Sequence, residues 1–165
     1  LVPWEPKRPA SSADPTRDRA AFEHRCTARE RERSADHAYP FGVFVDQRLA
    51  GEVNINNVTR GALQSATIGY WIDEARAGRG YIAEAVVVVA RYAFEELHLH
   101  RLEICIVPRN INSRRVMEKL AIREEGVALR FLEINGVWED HVRYGITVEE
   151  WTARRDELLA SWVSG

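Results

Sequence analysis

The sequence has little cysteine, no marked excess of either charge and no long apolar run, and beyond its first fifteen residues it has little proline. Cys26 and Cys105 stand alone without a CxxC spacing, which argues against a disulfide framework and fits reduced thiols in a cytoplasmic protein. No histidine pair has metal-ligand spacing, so no metal is expected. The 23 basic and 25 acidic residues are well mixed and leave a formal charge of -2. That balance gives no electrostatic basis for direct nucleic-acid or anionic-membrane binding. The longest apolar run, 85–90, falls far short of the roughly 20 residues that span a bilayer, and no signal peptide precedes it. The expected location is the cytoplasm. With 165 residues, 45% apolar and 29% charged, the chain reads as one domain over 1–165. It opens on Leu1 rather than Met, which leaves room for residues upstream.

What is present is a series of short periodic segments. Residues 1–15 are proline-rich and read as an irregular surface segment. Residues 16–33 are densely charged with a thin apolar stripe, as in an exposed helix. The runs 39–46 and 49–57 are predicted to form an antiparallel hairpin, with Leu49, Gly51, Val53 and Ile55 alternating as its buried face. A third strand is expected over 65–73, a helix over 80–97 and a further strand over 101–107. Strand, helix and strand at these lengths make a βαβ crossover, so the strands at 65–73 and 101–107 should be parallel. A short helix over 112–120 follows. The strands near 127–134 and 137–147 then meet at Asn135-Gly136, a strong hairpin dipeptide. Thr147 and Glu150 form a capping box for a terminal helix that reaches about Trp162, with Trp151, Leu158 and Leu159 as its apolar contacts. The predicted fold is α/β: a central mixed, mostly antiparallel sheet flanked by helices, with one parallel crossover.

The connection between the third strand and the long helix carries Arg76, Ala77, Gly78, Arg79, Gly80 and Tyr81. Free N–H groups and the helix dipole favour an anion there, and two glycines allow close approach of a phosphate. Arg76 and Arg79 add charge suited to a diphosphate. The plainer reading is a tight turn with glycines for geometry alone. A P-loop is excluded, because no Lys-Ser/Thr pair follows the glycines. Gly78, Gly80 and Ala83 fit a dinucleotide fingerprint, with Glu103 twenty residues on. However, Glu103 falls near the start of its strand, the loop follows an antiparallel hairpin, and no further βαβ pattern follows Val107.

Taken together, IGYWIDEARAGRGYIAEA (68–85), HRLEICIVPRNINSRRVMEKLAIREEG (100–126) and FLEINGVWEDHVRYGIT (131–147) resemble the RimJ/RimL branch of the GNAT N-acetyltransferases. The likeness runs from Pro3-Trp4-Glu5-Pro6 to Thr147. It implies acetyl-CoA as co-substrate, with its pantetheine arm held by Tyr70, Trp71 and Ile72 and its pyrophosphate by 76–81. The arm would lie between the strands at 65–73 and 101–107, its thioester near a helix that carries Asn112 and Ser113. The family loop usually has Gln or Arg where Ala75 stands, and Met117 occupies the position of a thiolate-protonating Tyr found in many members. The resemblance assigns that acid role to Ser113 and Asn112 to the CoA arm. The family's usual first strand and helix are expected to be missing from this chain. The implied acceptor is an α-amino group at a peptide or protein N-terminus, a ribosomal protein among the candidates, and a homodimer is one candidate assembly. The alternatives are a small-amine acetyltransferase for a polyamine, amino acid or antibiotic, which an acidic, enclosed groove would favour, and a CoA-binding sensor or assembly factor without turnover.

Acetyl transfer to an amine needs a base for the ammonium, a donor for the carbonyl oxygen and an acid for the thiolate. Glu103 and Glu133 are the candidate bases on strands flanking the groove, and Glu52 shares a polar face with Asn54 and Asn56. A raised pKa would mark the base among them. The resemblance places a base near Leu132, one residue from Glu133, and a shift of one residue reverses the face of a strand. Each candidate also has a structural reading: a solvated strand carboxylate for each Glu, a helix cap for Ser113 and Asn112, and cross-strand contacts for Asp140 and Tyr144. Trp4 and Trp138 either serve the substrate's first side chain or simply pack.

Overall fold

The computed structural model describes residues 19–163. The proline-rich start, the Pro-Trp-Glu-Pro segment with Trp4, and residues 16–18 lie outside them. The elements run α1 (Arg19–Ser34), β1 (Tyr39–Val45), β2 (Arg48–Thr59), β3 (Ser65–Ile72), a 3-10 turn (Glu74–Arg76), α2 (Tyr81–Glu95), β4 (Arg101–Ile106), α3 (Ile111–Lys119), β5 (Arg123–Ile134), β6 (Val137–Thr147) and α4 (Val148–Trp162). The strands form one six-stranded sheet in the order β1-β2-β3-β4-β6-β5. Only β3 and β4 pair in parallel; the other neighbours are antiparallel. The mixed sheet and its crossover therefore match the sequence expectation.

The core lies between the sheet and α2 with α4. Helix α2 contains Val86 to Val89, a β-branched run that intrinsically disfavours a helix. It is helical because Ile82, Ala83, Val86, Val87, Ala90, Ala93 and Phe94 recur at helical spacing and are buried. Burial of side chains of this kind is worth about 1.5–3 kcal/mol each, which outweighs propensity differences of tenths. Phe94 stacks on Trp151 of α4 at 5.7 Å. The capping box that starts α4 is formed as expected: the Thr147 hydroxyl accepts from the Glu150 N–H, and the Glu150 carboxylate accepts from the Thr147 N–H.

Strand β4 shows the division of the sheet. Leu102, Ile104 and Ile106 are buried, while Arg101, Glu103 and Cys105 between them are only partly so. The first set lines the core with Ile68, Val142 and Ile146. Cross-strand register carries the second set onto a polar face with Arg143 and Gly145 of β6 and Thr67 of β3. On the far side of β2, Glu52 receives two hydrogen bonds from the Arg29 guanidinium of α1, at 2.8 and 2.9 Å.

Two sequence expectations are corrected here. Leu49 does not share the buried face of Gly51, Val53 and Ile55: it is 53% exposed. The β1–β2 register shifts between Val43 and Phe44, so that Phe44 faces Leu49 and Ala50 takes the buried place. Strand β5 also begins at Arg123 rather than near 127, because Arg123 and Glu124 already pair with Gly145 and Tyr144. The Asn135-Gly136 turn is as expected, with φ of 53° and 81°, the two left-handed positions of a tight hairpin.

Candidate functional site

Parallel pairing between β3 and β4 holds only from Ser65 to Thr67 and from Arg101 to Glu103. Past those residues the strands carry on as Ile68–Ile72 and Ile104–Ile106 without pairing to each other. The sheet thus opens a wedge at the C-terminal ends of its two parallel strands, where open α/β sheets characteristically bind ligands. Unpaired backbone along the wedge is available to a ligand's amides.

The glycine loop stands at the mouth of this wedge. Asp73 caps the 3-10 turn by accepting from the Ala75 N–H at 3.2 Å. Gly78 and Gly80 then adopt φ of 78° and 92°. A side chain at Gly78 would meet nothing within 4 Å, so glycine is needed there for backbone conformation rather than for space. Gly80 begins α2 without a side-chain cap, and the Tyr81, Ile82 and Ala83 N–H groups carry no hydrogen bond among the described residues. Three free donors at the positive end of a helix dipole form an anion site. Arg76 lies 3.7 Å from Asp46, whereas Arg79 has no ion pair among the described residues and is exposed.

On the other side of the wedge, α3 is capped by Asn110, whose side chain accepts from the Ser113 N–H at 3.2 Å. The capping alternatives for Asn112 and Ser113 are therefore corrected: Asn110 does that work. Asn112 is exposed and Ser113 is half-buried. Tyr70 spans the wedge, donating its hydroxyl hydrogen to the Ser113 carbonyl oxygen at 3.3 Å. Burial pushes the Tyr70 hydroxyl well above its usual range, so it remains a donor. Tyr144 is buried, and its hydroxyl oxygen accepts from Arg114 at 3.1 Å. Met117 is completely buried in the core and carries no exchangeable proton. Trp71 and Ile72 line the outer end of β3, each partly buried.

The carboxylates have distinct settings. Glu103 is held by Arg101 at 2.9 Å and by Arg143 at 2.8 Å. Burial pushes its pKa up, but the two guanidiniums outweigh burial and hold it below the usual carboxylate range. The raised pKa expected of a base is therefore not found at Glu103. Glu52 is likewise lowered, by the Arg29 hydrogen bond first. Glu133 is exposed near the hairpin tip and sits opposite Trp138, on the reverse face from the Leu132–Glu139 pair. Asp140 accepts from the Arg130 N–H at 2.8 Å, which ties it to the β5 bulge. Trp138 is 59% exposed and so does not pack as a core residue.

The sequence reading missed the arginine clamp. Gly145 makes it possible: a Cβ there would come within 2.6 Å of an Arg101 guanidinium nitrogen and 2.7 Å of Glu125. Arg101 pairs with both Glu103 and Glu125, and Arg123 extends the network to Glu150. The alternation Arg101, Glu103, Cys105 signals a polar face, but Arg143 joins it only through the β4–β6 register. Also missed was His141, which is completely buried. No group of three or more His, Cys, Asp or Glu residues fit to hold a metal occurs among the described residues. No described helix is long and apolar enough to cross a membrane.

Comparison with known proteins places these features in context. The family model described as an acetyltransferase (GNAT) domain matches residues 3–123. The ribosomal protein uS5-alanine N-acetyltransferase of Escherichia coli is 31% identical over 157 residues, covering 94% of this chain and 79% of that protein. A probable N-acetyltransferase of Bacillus subtilis, YjcK, is 51% identical over 108 residues, which span 64% of this chain and 60% of that relative's length. Among solved structures, Mycobacterium smegmatis RimJ in complex with CoA-disulfide superposes with a TM-score of 0.86 at 33% identity, covering 98% of this chain and 77% of that one.

Proposed function

The chain belongs to the GNAT acetyltransferase family, and on that premise we propose that it transfers the acetyl group of acetyl-CoA to the α-amino group of a protein N-terminus, a ribosomal protein being the candidate acceptor. The observation that carries this reading is the wedge between β3 and β4, with the N-terminus of α2 and its N–H groups at one side and Ser113 in the first turn of α3 at the other. In this reading the Tyr81, Ile82 and Ala83 N–H groups, the glycine turn with Ala77, and Arg76 and Arg79 bind the pyrophosphate of acetyl-CoA. The backbone of Tyr70, Trp71 and Ile72 holds the pantetheine amides, and Asn112 closes over the arm. The acceptor amine attacks the thioester carbonyl directly, the C–S bond breaks, and Ser113 delivers a proton to the departing thiolate. Tyr70 positions Ser113 by fixing the first turn of α3.

Charge favours a peptide over a polyamine. Glu52, Glu103 and Glu139 on the polar face are each paired with arginine, so that face offers no net negative surface for a polycation. The test is mass spectrometry of a peptide pool with free α-amines and internal lysines, incubated with the protein and acetyl-CoA beside an enzyme-free control. Acetylation confined to α-amines of particular first residues is expected. Acetylation of spermidine or free amino acids in place of peptides overturns the acceptor assignment, and acetyl-CoA binding without transfer to any amine overturns catalysis.

A further inference from the structure

We propose that His141 is the base of the reaction, its Nε2 taking a proton from the acceptor ammonium directly or across one water; this inference rests on the N-acetyltransferase reading above. His141 is on β6 and has no solvent exposure. Its Nδ1 lies 3.0 Å from the Glu139 carbonyl oxygen. A carbonyl only accepts, so Nδ1 carries the hydrogen and Nε2 keeps the lone pair. That Nε2 is buried and has no hydrogen-bond partner among the described residues. An unpaired buried acceptor is costly, and a group left in that state calls for a functional account. Phe131 of β5 meets the imidazole edge-on at 5.6 Å, which fixes the ring plane and the direction of the lone pair.

Position agrees with the role. The β4–β6 register pairs Cys105 with Arg143 and Ile106 with Val142, so His141 comes next, past the C-terminal end of β4 and beside the turn into α3. Strand alternation puts it on the polar face with Arg143, Cys105 and Glu103. The wedge opens toward that end of the sheet. Asn54 Oδ1 and Arg143 Nε, also buried without partners among the described residues, lie on this face as well.

The other proton acceptors of the face are engaged. Glu103 is clamped by Arg101 and Arg143. Glu139 is bound by Arg109 at 2.6 Å, and that hydrogen bond holds its carboxyl below the usual range. The titratable and charged groups around the imidazole are thus Glu139, Asp140 and Arg143 on β6, Glu103 and Cys105 on β4, and Arg109 from the turn before α3. Burial pushes the Cys105 thiol up, so it remains protonated and does not compete as a base. Among the described residues, two buried acceptors on this face lack a partner, His141 Nε2 and Asn54 Oδ1; an amide oxygen is too weakly basic to take the proton, which leaves the imidazole.

The ammonium gives one proton to Nε2 and becomes a neutral amine. The amine nitrogen forms a bond to the thioester carbon, the C–S bond breaks, and the sulfur leaves with its electron pair as thiolate. Ser113 gives its proton to the thiolate and regains one from the attacking nitrogen, so the amide retains one N–H, and the imidazolium returns its proton to solvent.

The test compares wild type with His141→Asn and His141→Gln, using the acceptor that the wild type acetylates. Each variant is checked for acetyl-CoA binding and thermal melting. The expected result is a kcat/KM lower by roughly 10²–10⁴-fold, with KM for acetyl-CoA unchanged, partial rescue by added imidazole, and a rate that climbs with pH until the amine deprotonates unaided. A variant that binds acetyl-CoA and keeps the wild-type rate and pH profile overturns the inference. Nitrogen-15 histidine NMR of the wild type gives a readout independent of variant folding: the Nδ1–H tautomer with Nε2 perturbed by acceptor is expected, and an Nε2–H tautomer contradicts it. A wild type inactive on every amine sinks the reading beneath it, whereas an active wild type with indifferent variants sinks the inference alone.

Discussion

The two faces of the sheet are built from the same strands and do opposite work. On the face toward α2 and α4, Ile68, Leu102, Ile104, Val142 and Ile146 are buried hydrocarbon. On the other face, Glu52, Glu103 and Glu139 are each matched with arginine, and His141 keeps a nitrogen without a partner among the described residues. Six residues of β4 carry both programmes by alternation. Buried hydrocarbon is concentrated on one face and ion-paired side chains on the other, so a substitution's effect should depend on the parity of its position.

The largest expected contrast is between neighbours on β4. Leu102→Ala removes a completely buried side chain and should cost about 2–5 kcal/mol in chemical denaturation. Glu103→Gln, one residue along, should cost less while leaving Arg101 and Arg143 short of a counter-charge. Equal losses would break the two-face account.

Acid should act on the ion-paired carboxylates and leave the hydrocarbon face untouched. Glu52, Glu103 and Glu125 have pKa values lowered in the folded chain, by arginine hydrogen bonds that at Glu103 overcome burial. A lowered folded pKa gives stability that is present above the unfolded value, about 4.3, and is lost as pH falls through the folded one. Thermal melting followed from pH 6 to pH 3 should therefore fall by about 5 °C or more, and less in Glu103→Gln. An unchanged slope in the variant would show that the clamp contributes nothing.

At the glycine loop, Arg79→Ala should raise KM for acetyl-CoA about tenfold through loss of one charge-assisted contact, with little change in kcat or in melting temperature. A smaller effect is expected at the capping box: Thr147→Ala should cost about 1 kcal/mol without altering acetyl-CoA affinity.

Much of the fold was legible because local signals agreed with tertiary packing. Asn135-Gly136, the Thr147 and Glu150 box and the strand–helix–strand run each produced the expected element. The start of β5 was not legible, since Arg123, Glu124 and Glu125 read as a charged loop and become strand only by pairing with β6. Leu49 misled because alternation presumes an unbroken register, which the shift between Val43 and Phe44 interrupts. In the candidate site, the glycine loop could be found from spacing, whereas α3 entered the site only through the family resemblance. The arginine clamp on Glu103 and the isolation of His141 depend on partners up to 40 residues apart, and nothing in local sequence records which side chains a register shift will bring together.

The most direct test of the central claim is backbone hydrogen exchange with and without acetyl-CoA. Binding in the wedge predicts slowed exchange over 68–72, at Tyr81, Ile82 and Ala83, and over the start of α3 at 110–114, with β1 and the β5–β6 tip unchanged. Protection confined to any other surface, or none at saturating acetyl-CoA, would contradict it.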